Sequence, residues 1–351
     1  MNSRPVYIRR IGHVSALGLS AAAAAKAQLV TLAGEKNISW RELLGTRYPW
    51  FALPLDERDW RTRALRAASL VAAELSAGMS PAEFAALPLF IGSSSFDAGA
   101  AETIARCSGR TPVGRLEFDK EIRAALGNVT SPWTFSTSCT SGFAALEAAF
   151  LLMAQGQIET ALVLGFEFAN DTTLAGFAAL GLLAPAEDAD GLILGEALAG
   201  LLLTASPPPD GGWRIAACHL GIDGYSVTAP TPDGRVIAAH LAATLDEAGL
   251  SARDIDLVKP HRIRVPDADA AEEAAFHRLF GLHRPPEISF KHQIGHTLGA
   301  SGPAELTALL ALLDTAAGQL RHHHPKRLLF NLIGFGGSIA ALIVERSREG
   351  T

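Results

Sequence analysis

Short apolar runs alternate along the chain with longer stretches whose apolar positions recur at helical spacing, the pattern of layered α/β structure. The runs "PLFIGS" (88–93), "TALVLGFE" (160–167), "ALAGLLLTA" (197–205), "RIAACHLG" (214–221), "DLVKPH" (256–261), "LLFNLIGF" (328–335) and "SIAALIVE" (338–345) predict strands. Tyr7-Ile8 predicts one more, ending before Arg9 and Arg10. Helical spacing predicts helices over 59–76, 141–155, 235–248, 268–279 and 303–317. The strand runs lack apolar–polar alternation, as expected of a sheet covered on both faces.

The order of these elements repeats. "RALRAASLVAAELSAGMSPAEFAALPLFIGS" (63–93) has a partner in "VIAAHLAATLDEAGLSARDIDLVKPH" (236–261). Each is a helix, a glycine stop, a serine-capped turn with an acid three residues on, and a buried strand. "CTSGFAALEAAFLLMAQGQ" (139–157) is mirrored by "LGASGPAELTALLALLDTAAGQ" (298–319), and "GEALAGLLLTA" by "GFGGSIAALIVER". The expected architecture is therefore two similar halves, 1–206 and 213–351, joined by the Pro/Gly-rich "SPPPDGG" (206–212). Facing halves would each present a helix N-terminus to the middle, one carrying Cys139 and the other preceded by His296.

Composition narrows the function. At 351 residues and 48% hydrophobic content the chain can bury a large core, and few aromatics (7%) beside 33 glycines suit close helix–sheet packing. A formal net charge of −6 gives no footprint for nucleic acid, and an acidic carrier protein would need a local basic patch. Three cysteines without a CxxC pair argue against a disulfide framework or zinc knuckle and point to a reducing, cytoplasmic setting. The arginine-then-alanine start is a weak signal-peptide pattern, and acids interrupt every apolar run before it reaches membrane-spanning length.

Cys139 precedes a small-residue helix entry, "STSCTSGF", where the helix dipole favours thiolate and backbone N–H groups can bind an oxyanion. It is the candidate nucleophile, whereas Cys107 and Cys218 fit ordinary buried thiols. His296 lies beside the Ser-Gly entry of the mirrored half, and His261 follows a strand at its carboxyl end, where α/β sheets bind ligands. The run His322-His323-His324 lacks acids or cysteines at ligand spacing, so a solvated turn and no metal is expected. "IGFGGS" (333–338) is a glycine turn between strands, not a dinucleotide fingerprint, and Phe335-Gly336 suits close approach of backbone to a substrate.

Together, "STSCTSG", "GFEF", "GLILGEALAG", "DGYSVTAPTPDG", "KHQIGHTLGASGPAE" and "NLIGFGGS", in this order and spacing, resemble the β-ketoacyl-acyl-carrier-protein synthases, thiolase-fold condensing enzymes. The resemblance implies a five-layer α-β-α-β-α fold. It implies Cys139 as the acylated cysteine, His261 and His296 as the catalytic histidines, Lys291 and Glu305 as their support, and Phe335 as a gating residue. It further implies ping-pong chemistry with phosphopantetheine delivered on an acyl carrier protein rather than a bound cofactor. The partners implied are that carrier and a second ketosynthase-like subunit, identical or related. The Cys-His-His set separates the chain from chalcone-synthase-type relatives, which carry Asn where His296 stands, and from degradative thiolases, which need a second cysteine near the C-terminus.

The chain departs from the family in "HRIRVPDADAAEE" (261–273), where Arg262, Ile263 and Val265 replace a glycine and two pantetheine-holding threonines. Arg262 and Arg264 would then meet a phosphate or carboxylate of the substrate, or form structural ion pairs. Ile339 stands where Asn is usual. The 93–128 region is short for the family, which implies a reduced cap over the tunnel. The expected function is decarboxylative condensation of an acyl chain on Cys139 with malonyl-carrier, in a polyketide, polyene or specialised fatty acid pathway. Two alternatives remain open: a chain-length-factor-like subunit that pairs with an active ketosynthase, and a cysteine acyltransferase that loads without condensing.

Overall fold

Buried strands need partners on both edges and cover on both faces, and the chain supplies both. The structure is a computed structural model that describes residues 4–30, 37–43, 45–209 and 211–347. In chain order its strands are β1 (Val6–Ser15), β2 (Ile38–Leu43), β3 (Thr46–Phe51), β4 (Leu89–Gly92), β5 (Trp133–Phe135) and β6 (Thr160–Glu167). There follow β7 (Leu194–Gly195), β8 (Ala197–Thr204), β9 (Gly212–Ile222), β10 (Leu257–Lys259), β11 (Arg327–Ile333) and β12 (Ser338–Ser347). The helices are α1 (Ala21–Val30), α2 (Trp60–Leu75), α3 (Pro81–Ala85), α4 (Ala98–Ser108), α5 (Phe118–Ala125) and α6 (Ser141–Ala154). The remaining ones are α7 (Asp171–Ala179), α8 (Arg235–Glu247), α9 (Pro266–Phe280), α10 (Lys291–Ile294), α11 (Ser301–Leu313) and α12 (Ala316–Arg321).

Nine strands form one sheet in the order β10-β11-β12-β9-β1-β8-β6-β4-β5. Its two arms have the same pattern. From β1 outward the pairings run antiparallel to β8, antiparallel to β6 and parallel to β4. From β9 outward they run antiparallel to β12, antiparallel to β11 and parallel to β10. The arms meet where Val6–Ile8 pair with Trp213–Ile215, and the linker runs between β8 of one arm and β9 of the other. Asp210 of that linker lies outside the described residues.

The missing alternation has a direct cause. Ala161 and Val163 of β6 pack in one core with α6 and α11, while Leu162, Leu164 and Phe166 pack on the other face against α2. In the second arm Leu328, Phe330 and Leu332 join α6 and α11, and Leu329 and Ile333 face α8 and α9. Both faces are apolar because both are covered, which gives five α-β-α-β-α layers with α6 and α11 in the centre.

Local chemistry sets the repeated ends. Asp59 caps α2 by accepting from Thr62 N at 2.8 Å, and Gly78 (φ 74°) and Gly249 (φ 68°) turn the chain after α2 and α8. Ser80–Glu83 and Ser251–Asp254 then form matching capping boxes before β4 and β10.

Some expectations need correction. β1 runs through Arg9 and Arg10 rather than stopping at Ile8, because its register with β8 shifts between Ile8 and Arg10, a bulge that lets an arginine leave the buried face. The alanine run read as a weak signal pattern is α1, which packs on α11. Cys107 is exposed on the last turn of α4, not buried. The 93–128 region carries α4 and α5, neither of which stood out by periodicity.

Candidate active site

The centre of the molecule is built by two matching turns. Ser138 takes a left-handed φ of 56°, a 3₁₀ turn spans Ser138–Thr140, and α6 starts at Ser141. Leu298 takes φ 46°, a 3₁₀ turn spans Leu298–Ala300, and α11 starts at Ser301. Side chains such as these occupy that backbone region only under constraint. Around Cys139 the constraint is a hydroxyl network: Ser141 Oγ accepts from Thr137 N (2.9 Å) and donates to Ser138 O (2.6 Å), and Thr140 Oγ1 donates to Thr137 O (2.7 Å). The helices cross at glycines. A Cβ on Gly142 would lie 2.3 Å from Pro303 Cδ, and one on Gly302 would lie 2.4 Å from Phe143. This crossing brings the two turns together.

Cys139, His261 and His296 line one cavity of about 30 Å³ with Phe177, Leu192, Ile263, Ile333 and Phe335. Cys139 Sγ lies 3.1 Å from His296 Nε2, and the two imidazoles meet edge to face with centroids 5.4 Å apart. All three side chains are buried. The backbone N–H groups of Cys139 and Phe335 both favour negative charge at the Cys139 sulfur, as donors of an oxyanion hole beside it would. Phe335 and Phe177 of α7, both on the cavity wall, lie tilted against each other with ring centroids 5.4 Å apart. Gly336 (φ 79°) donates its N–H to Val227 O at 2.8 Å, so it shapes the turn rather than the cavity wall.

Burial dominates the electrostatics. It pushes the Cys139 thiol up to about 12, outweighing the pull of Lys291 and the two N–H groups. Desolvation of the enclosed sulfur thus opposes the thiolate that the helix N-terminus favours. Burial, followed by Lys291, holds His261 and His296 well below the usual histidine range, so both rings are neutral. With a thiol this weakly acidic, carbamidomethylation of Cys139 by iodoacetamide, followed by peptide mapping, should accelerate about tenfold per pH unit between pH 7 and 9. A plateau below pH 8 would show that the site ionises the thiol after all.

The 261–264 segment is rigid. Glu272 accepts from His261 N (2.6 Å) and Arg262 N (3.0 Å), and Asp269 accepts from Ile263 N (2.9 Å) and Arg264 N (3.0 Å). Four consecutive N–H groups held by two carboxylates of α9 explain how Arg262 (φ 32°) and Arg264 (φ 65°) keep positive φ. The Arg262 guanidinium pairs with Glu273 (2.7 Å) and Glu287 (3.1 Å), and that of Arg264 donates to the carbonyls of Glu187 and Ala189. These contacts of both arginines are to the protein itself, and Ile263 lines the cavity.

Behind the histidines, Glu305 pairs with Lys291 through one oxygen and with Lys259 through the other at 2.7 Å. Lys259, Ser301 and the anchoring role of Glu272 escaped sequence reasoning. The one available signal for Lys259 was a lysine inside the buried run "DLVKPH". Ser301 Oγ lies 3.1 Å from His296 Nδ1 and 3.3 Å from Thr297 Oγ1. Glu167, buried between the halves, accepts from Ser94 N (3.0 Å), Ser94 Oγ (2.7 Å) and Gly299 N (2.9 Å).

The chain is similar in sequence and fold to β-ketoacyl synthases. The beta-ketoacyl synthase N-terminal domain matches residues 124–207 and its C-terminal domain matches 214–321, together more than half of the chain. A 3-oxoacyl-[acyl-carrier-protein] synthase 2 of Mycobacterium bovis is 28% identical over 249 residues, spanning 60% of this chain and 60% of its own length. Among solved structures, a ketosynthase in complex with its chain length factor from Xenorhabdus doucetiae superposes with a TM-score of 0.81 at 20% identity, over 98% of each chain. A beta-ketoacyl synthase from Burkholderia phymatum superposes with a TM-score of 0.76 at 23% identity, over 98% of this chain and 100% of its own.

Proposed function

Because the chain belongs to the β-ketoacyl synthase family, we propose that it is a 3-oxoacyl synthase that joins an acyl chain on Cys139 to malonyl-carrier by decarboxylative Claisen condensation. The observation that carries this reading is the convergence of one thiol, two neutral imidazoles and two N–H groups on a single cavity. Cys139 Sγ attacks the carrier thioester carbonyl, and the proton leaves through His296 Nε2. The Cys139 and Phe335 N–H groups hold the oxyanion until the carrier thiolate departs, and that thiolate takes the proton back from His296, leaving the ring neutral. Malonyl-carrier then binds, and its thioester oxygen accepts hydrogen bonds from His261 and His296 as CO₂ leaves and enolate charge develops. The enolate carbon attacks the acyl-cysteine, the new carbon–carbon bond forms, and the Cys139 sulfur is released.

This sequence needs N–H on Nε2 of His296 in the second half-reaction. Ser301 supports that tautomer when its hydroxyl donates to Nδ1, and neutrality of the ring leaves one nitrogen free to accept. Ser301→Ala should therefore slow malonyl decarboxylation by about 10- to 100-fold while leaving acyl loading within about threefold of wild type. Equal losses in both steps, measured by CO₂ release and intact mass, would deny Ser301 that role.

We place residues 1–206 in the half bearing the nucleophile and 213–351 in the half bearing both histidines. The acyl chain and pantetheine arm arrive on an acyl carrier protein. A cavity of about 30 Å³ has room for one water, so Phe335 and Phe177 must part to admit a chain. A cytoplasmic dimer with an identical or related subunit completes the reading, and no described helix is long and apolar enough to cross a membrane. The apolar Ile263 and the closed cavity favour a second reading, an accessory subunit that shapes a partner's tunnel.

One experiment separates these readings from a loading-only acyltransferase. Purified protein is incubated with acyl- and malonyl-carrier, and Cys139 acylation and CO₂ release are followed together. Acylation with product supports the synthase, acylation without CO₂ the transferase, and neither until a related ketosynthase is added the accessory role.

A further inference from the structure

Strands β3 and β7 pair in parallel with Trp50 opposite Leu194, and Leu194 forms a further parallel bridge to His296. His296 N donates to Ile193 O (2.7 Å) and Gly195 N donates to His296 O (3.0 Å), which fixes that bridge. Side chains opposite one another on adjacent strands share a face, so Trp50, Leu194 and His296 form one row. Packing identifies the face. Trp50, Leu192 and Leu194 lie in one apolar cluster with Cys139, Leu174 and Leu298. The alternate residues, Phe51 and Ile193, belong to a separate cluster with Ala16 and Ala184. Cys139 Sγ stands 3.1 Å from the imidazole at one end of the row, and Trp50 stands at the other, two strand spacings or about 10 Å from His296.

Two cavities flank this cluster. The one at Cys139 is about 30 Å³ and is walled on the cluster side by Phe177 and Leu192. On the far side a groove of about 300 Å³ is lined by Trp50, Ala52 and Ala169 of the same cluster. Trp50 is 2% exposed, and its indole N–H is buried without a hydrogen-bond partner. No polar contact therefore calls for tryptophan here, and bulk is what the residue supplies. The Arg41 guanidinium, on the groove wall, lies 5.8 Å from the indole centroid and pairs with Asp171 of α7 at 2.6 Å, so the ring is held from the groove side.

We propose that Trp50 is a specificity-determining residue for the acyl donor: a chain on Cys139 runs along the apolar face over Leu194 and stops against the indole, so the protein takes short apolar acyl groups and rejects long ones. The inference deepens the synthase reading by naming its substrate class, and it rests on Cys139 as the acylated residue. Parting of Phe335 and Phe177 admits the chain, and Trp50 sets how far it reaches.

The test follows acylation of Cys139 by intact mass, with butyryl-, octanoyl- and lauroyl-pantetheine thioesters as donors at equal concentration. Wild type should load butyryl about tenfold or more faster than lauroyl. Trp50→Ala, which joins the cluster to the groove, should raise the lauroyl-to-butyryl ratio by about tenfold or more, and Trp50→Phe should fall between. A loosened fold would change all three donors together and leave the ratio where it was. A ratio equal to wild type in Trp50→Ala, or a wild type that loads lauroyl as fast as butyryl, would overturn the proposal. Should Trp50→Ala not fold, Trp50→Leu, which keeps an apolar side chain of smaller volume, decides by the same ratio. Absence of loading on Cys139 with every donor would remove the synthase reading and this inference together, whereas loading with an unchanged ratio would overturn the inference alone.

Discussion

Cys139→Ala should lose acyl loading entirely while keeping its fold. The change deletes one sulfur from a cavity of about 30 Å³ and leaves Ser138, Thr140 and Ser141 to hold the turn. Its stability cost is about 1–2 kcal/mol, a shift of a few degrees for a chain of this length. The chemical cost is larger, because no other nucleophile stands between the two N–H donors. Cys107 is exposed on α4, and Cys218 is buried beneath Phe143 with its sulfur 3.9 Å from that residue's carbonyl oxygen. Loading followed by intact mass should fall by about four orders of magnitude or more. Persistence of the acyl adduct in the variant would move the chemistry to another residue.

Gly142→Ala should be strongly destabilising. On propensity alone, glycine to alanine inside a helix stabilises by about 0.5–1 kcal/mol. At Gly142 the added carbon would lie 2.3 Å from Pro303 Cδ and 2.9 Å from the carbonyl oxygen of Gly299, so α6 and α11 would have to separate. A clash of this kind, with a rigid proline ring and then a carbonyl oxygen, costs about 3 kcal/mol or more, and the propensity gain is lost beneath it. Gly176→Ala in α7 is the contrast, since nothing lies within 4 Å of its would-be Cβ, and it should gain about 0.5–1 kcal/mol. Urea unfolding of the pair checks both signs. A Gly142→Ala protein as stable as wild type would mean that the helices do not cross at this contact.

The duplication made much of this arrangement legible before any coordinates. Matching helix–glycine–capping segments at 63–93 and 236–261 correspond to the two arms of the sheet, and the paired Ser-Gly entries correspond to the two helix starts that meet in the middle, whereas the crossing of α6 and α11 was not read. Strands buried on both faces announced themselves by continuous apolar runs. What stayed hidden depended on tertiary contact. The β2–β3 hairpin is short and carries Arg41, Glu42 and Arg47, so its sequence lacks the apolar run of a core strand. The alanine run of α1 became a helix because α11 covers it. The depth of burial of Cys139 stayed hidden for the same reason, since the sequence displays only the helix start. Lys259 was passed over because a lysine in a buried strand is meaningful only once Glu305 is seen to be already paired with Lys291.

The arrangement as a whole is tested by a crystal structure of the protein acylated from a carrier thioester. The acyl carbon should be bonded to Cys139 Sγ, its carbonyl oxygen should lie within hydrogen-bond distance of both Cys139 N and Phe335 N, and the Phe335 ring should have moved off Phe177. An acyl group on any other residue, or a carbonyl oxygen turned away from those two N–H groups, would contradict the account.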